Sequence, residues 1–105
     1  MSVIVTGTVV GNPGLLEAHA AAHPEDLHSL RDRAIGHGQI AHRFYGTEGR
    51  IMVVDEWPDE QSFEKFFAEA LPAVENLLAA SGIAAEPEVV FWRKLDTDDE
   101  VGWGA

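Results

Sequence analysis

The chain has 105 residues, 46% of them hydrophobic, which suits one domain with a real core and argues against wholesale disorder. Seven basic residues against eighteen acidic ones leave a formal charge of −11, so nucleic-acid backbones and anionic membrane surfaces are disfavoured as partners. The absence of cysteine excludes disulfides, thiolate nucleophiles and cysteine-based zinc sites. No apolar run reaches the length of a membrane span and MSVIVTGTVVG lacks the basic start of a signal peptide, so a cytoplasmic protein is expected.

Residues 2–10, SVIVTGTVV, are rich in β-branched side chains and end at the breaker cluster GNPG, which predicts a strand and a turn. Over 15–35, Leu16, Ala20, His23, Leu27, Leu30 and Ala34 recur at helical steps and form one stripe. Pro24 interrupts it, with Glu25 and Asp26 placed as the first turn of a new helix, so either a kink at His23 or two short helices is expected. Two β-like runs, 38–45 and 50–57, flank GTEG and predict a hairpin. Residues 59–70 and 72–81 read as helix, bent or split at Pro72 and ended by Gly82, with Phe63, Phe66, Phe67, Ala70, Val74, Leu77 and Leu78 facing inward. A last strand spans 87–94. Residues 1–94 are thus expected to be a single α+β domain and 95–105 an acidic tail.

The order β-α-β-β-α-β predicts a ferredoxin-like fold, four antiparallel strands with helices on one face. Both faces of the first and third strands are apolar, since Val3, Val5 and Val9 alternate with Ile4 and Val10, and Ile51 and Val53 with Met52 and Val54. A solvated outer face should instead alternate with polar residues, so a second copy packed sheet to sheet is expected and the partner is a homodimer.

The stretch HRFYGTEGRIMVVDEWPDEQSFEKFF, a hairpin ending in Trp and running into an acidic, Phe-rich helix, resembles the antibiotic biosynthesis monooxygenase-like family. The resemblance covers about residues 2–94 and implies a dimeric α+β barrel. The family includes cofactor-independent oxygenases of aromatic polyketides, haem-degrading enzymes, a sugar isomerase and cyclases, so the resemblance implies a fold more firmly than an activity. Haem degradation is disfavoured residue by residue. Trp57 matches its site, but the first strand has no Asn and residues 59–82 contain no His to ligate iron.

The hairpin carries the chemistry. With a loop of Thr47-Glu48 or of 46–49, Tyr45 faces Arg50, His42 faces Val53 and Ile40 faces Asp55. His42 and Asp55 are then diagonal neighbours on the face shared with Phe44 and Trp57. An imidazole beside a carboxylate on an apolar wall is a candidate general base with an orienting partner. In that reading His42 removes a proton, Asp55 sets its tautomer, and Phe44, Trp57, Phe63, Phe67 and Trp92 wall a small aromatic or conjugated carbonyl substrate. No metal or organic cofactor is required. Oxygenation, isomerisation and aldol-type cyclisation all begin with that proton. The competing readings are a structural histidine, Asp55 paired with Arg43 or Arg50, and a non-catalytic dimer that holds an apolar ligand or nothing. His23, mid-stripe, is expected to point toward the sheet as a core or pocket residue. His19 and His28 are expected in solvent and His37 in a loop, and a zinc site at His19 and His23 would need a third ligand across the Pro24 break.

Overall fold

The computed structural model describes residues 1–84 and 86–103. Its elements are β1 (Val3–Val10), α1 (Pro13–Ala22), α2 (Pro24–Gly36), β2 (Ala41–Thr47), β3 (Arg50–Trp57), α3 (Glu60–Ala80) and β4 (Glu88–Trp92). The strands form one antiparallel sheet in the order β2-β3-β1-β4, the ferredoxin-like arrangement that the element order predicts. The last two residues of the acidic tail, Gly104 and Ala105, lie outside the described residues.

Local chemistry accounts for the helix boundaries. Asn12 caps α1 by accepting a hydrogen bond from the Gly14 amide, with Pro13 at the first helical position. The interrupted stripe becomes two helices, because Pro24 excludes helical geometry at His23, whose φ and ψ are −136° and 65°. Asp59 caps α3 by accepting from the Ser62 amide at 2.7 Å. Of the bend or split expected at Pro72, the split does not occur, since α3 runs through this residue, which is exposed on its outer side. Gly82 ends it with φ of 77°.

The helices cover the face of the sheet that carries Val3, Val5, Gly7 and Val9 of β1, all buried, with Ile51, Asp55 and Trp57 of β3. The core divides into two clusters. One gathers Val3, Val5, Ala34, Trp57, Phe63, Phe66 and Ala70; the other gathers Val9, Leu16, Ile51, Leu77 and Ile83. Between Val5 and Val9, at the seam, stands Gly7. The opposite face exposes Ile4, Tyr45 and Trp92.

The hairpin register differs from the expected one by two residues. Thr47 pairs with Arg50, so the loop is Glu48-Gly49, and His42 lies directly across from Asp55 instead of diagonal to it. Gly49 holds φ of 73°, which suits the second loop position. Gly46, counted in the sequence as a turn glycine, is a strand residue. A Cβ there would stand 2.7 Å from the Pro13 side chain, so its missing side chain lets the start of α1 close on β2. Because the slip is even, every side chain keeps its predicted face.

Candidate active site

Asp55 is the buried polar residue of the strands' inner face. It is buried, 7% exposed, and its two oxygens are both engaged. Oδ1 lies 2.7 Å from His42 Nδ1, and Oδ2 accepts from Trp57 Nε1 at 3.2 Å. A carboxylate only accepts, so Nδ1 of His42 carries the proton and Nε2 is left with a free lone pair. Among the described residues Nε2 has no hydrogen-bond partner. Phe44 stands edge-on to the imidazole, ring centroids 5.0 Å apart. These positions follow from strand alternation: residues 42 and 44 of β2 and 55 and 57 of β3 project from one face.

His42 and Asp55 border a cavity of about 140 Å³ between the sheet and the helices. Its floor is the seam between the two core clusters, and Gly7, Val5, Val9 and Val53 lie there. Phe44, Phe63, Phe66 and Phe67 line it beside aliphatic residues of α2 and α3. Its few polar lining groups include Arg31, Gln39 and His42, which are exposed or partly exposed, so the polar end faces solvent along the edge strand β2.

The candidate residues do not all meet here. His42, Asp55, Phe44, Phe63 and Phe67 do. Trp57 is instead fully buried, tilted against Phe66 and edge-on to Phe63, and acts on the site through Asp55. Trp92 is on the other face of the sheet, opposite Ile4, and donates its indole N–H to Thr6. Strand parity at β4 puts Val89 and Phe91 inward and Trp92 outward. His23 is exposed, since the break at Pro24 stops the helical phase of α1 from carrying into α2. His19, expected in solvent, is largely covered, with its ring nitrogen 2.8 Å from Asp26. His37 pairs with Glu69 at the same distance. Among the described residues no cluster of three potential ligands could hold a metal ion, and no helix is long and apolar enough to cross a membrane. Gly7 was missed in the sequence. Its signal was there, a lone glycine inside a β-branched strand, which marks a place where something must approach the backbone closely.

The sequence matches no protein-family model and no curated protein. The fold does have relatives among solved structures. An antibiotic biosynthesis monooxygenase superposes with a TM-score of 0.62 at 15% identity, covering 90% of this chain and 99% of that one. A candidate antibiotic biosynthesis monooxygenase from Deinococcus radiodurans gives 0.65 at 12% identity, with 95% and 99% covered. A Nitrosomonas europaea protein of unknown function gives 0.60 at 18%, with 96% of each chain covered. The chain therefore has the antibiotic biosynthesis monooxygenase-like fold, as the hairpin-to-helix stretch implied. At these identities the likeness defines the fold and leaves the chemistry to the site.

Proposed function

We propose that this protein is a small-molecule enzyme that removes a proton from an aromatic or conjugated carbonyl compound held in the cavity, without a metal or organic cofactor. The observation that carries the proposal is the His42–Asp55 contact of 2.7 Å at the edge of an apolar cavity. Asp55 holds the proton on Nδ1, and Nε2 accepts the substrate's proton as the electron pair stays on the substrate as an enolate or phenolate. The imidazolium so formed sits against the Asp55 carboxylate, which stabilises it. Phe63 and Phe67 give the substrate ring an apolar wall on the helix side. The names of the structural neighbours favour oxygenation as the next step, with the anion giving its electrons to dioxygen. Return of the proton to another atom would make the same site an isomerase.

The exposed apolar side chains of the outer face, Ile4, Tyr45 and Trp92 among them, support a homodimer closed sheet to sheet. The test of the function is a panel of phenols and enolisable ketones assayed for oxygen uptake and for deuterium incorporation from heavy water. Wild type should accelerate one or the other on some member, and His42→Ala should abolish the acceleration. Ligand binding with neither reaction in wild type would make the protein a binding module instead.

A further inference from the structure

We infer that the cavity is sized for a single six-membered ring bearing one hydroxyl or enol group, and that Gly7 sets the limit. The inference rests on the proton-abstraction reading for the role of His42 and adds the class and size of the ligand. A void of about 140 Å³ with aromatic and aliphatic walls matches the space that takes one benzene ring, and two fused rings exceed it. Gly7 lies in the lining of the cavity, where β1 carries no side chain. A Cβ on Gly7 would stand 3.1 Å from Val53 Cγ1 and 3.7 Å from Pro87, so any larger residue would intrude on the floor and press on its neighbours. Glycine weakens a strand interior, and here it lies where the two core clusters part. The walls admit a ring with no further polar substituents, since Phe63, Phe66, Phe67 and Val74 offer no hydrogen bonds. At the solvent end, the free Nε2 of His42 accepts one hydrogen bond, which a neutral hydroxyl or enol supplies.

The experiment is calorimetric titration of the full chain with phenol, benzene and 2-naphthol, repeated on Gly7→Ala and Val53→Ala. Phenol should bind wild type at least tenfold more tightly than benzene, which lacks the hydroxyl, and than 2-naphthol, which has one ring too many. Gly7→Ala should weaken phenol by tenfold or more. Val53→Ala removes the methyl groups over Gly7 and should raise the affinity for 2-naphthol about tenfold, a gain that a misfolded variant cannot produce. Wild type that binds 2-naphthol as tightly as phenol, benzene as tightly as phenol, or no phenol at all overturns the inference. The two proposals fail separately. Single-ring selectivity with no His42-dependent proton exchange on any phenol or ketone leaves the size limit standing and removes the enzyme, whereas turnover of polycyclic phenols does the reverse.

Discussion

Replacing Asp55 with Asn tests the site without a substrate. In wild type the two carboxylate oxygens accept from His42 Nδ1 and from Trp57 Nε1. An asparagine side chain has one acceptor and one donor group, so it can serve only one of these hydrogens. The choice is forced. The indole N–H can only donate and lies on a residue with 0% exposure, whereas imidazole can exchange tautomers. The amide oxygen therefore turns to Trp57, the amide NH2 faces His42, and the imidazole proton moves from Nδ1 to Nε2. His42 then presents a proton to the cavity in place of a lone pair. The fold should lose only the charged part of one hydrogen bond, about 1 kcal/mol, or roughly 4–8 °C in melting temperature for a chain of this size. Asp55→Ala should lose about 3 kcal/mol, because it strands the buried indole donor as well. Nitrogen-15 spectra of the His42 ring read the tautomer directly. For any substrate that wild type turns over, the wrong tautomer should lower kcat by about 10⁴-fold, as in serine hydrolase triads. An Asn variant that keeps its proton on Nδ1, or that melts as low as the Ala variant, would refute the reasoning.

Three further outcomes follow from the same contacts. Trp57→Phe should leave Asp55 Oδ2 without its donor and alter the His42 contact, seen as a moved His42 Nδ1 proton resonance with the core still folded. Pro72→Ala should stabilise α3 by about 1–3 kcal/mol in urea unfolding, since a proline inside a helix lacks the amide hydrogen bond and crowds the preceding turn. The Asp59 cap predicts a pH effect: hydrogen bonds from the Ser62 amide and hydroxyl, with Lys65 nearby, hold its carboxyl below the ordinary 3.8. A lowered folded value means the cap stabilises above pH 3.8 and is lost as pH falls through the folded value. The gap in melting temperature between wild type and Asp59→Ala should therefore be widest near neutrality and narrow below pH 3.8, and a constant gap would deny the cap its charge.

Much of this protein is legible in the chain itself, because period and punctuation are local. Alternation in VIVTGTVV and RIMVVDEW sets which residues face the helices, the i, i+3, i+4 recurrence of Phe63, Phe66, Phe67 and Ala70 sets the buried side of α3, and Pro24 with Gly82 marks helix ends. Putting His42 and Asp55 on one face needed that alternation and an even loop length, and an even slip of register disturbs neither. What the tertiary structure decided depends on contacts between segments distant in sequence. Gly46 is a strand residue because Pro13 needs its space, and that moves the loop to Glu48-Gly49 and turns a diagonal pair into a direct one. Trp57 serves the carboxylate from a dry core, Trp92 faces away from the cavity because of parity at β4, and His23 lies outside because two helix axes diverge at Pro24. The cavity itself belongs to no segment. It is lined by residues of both core clusters and by the glycine of β1, and only assembled side chains can leave a space.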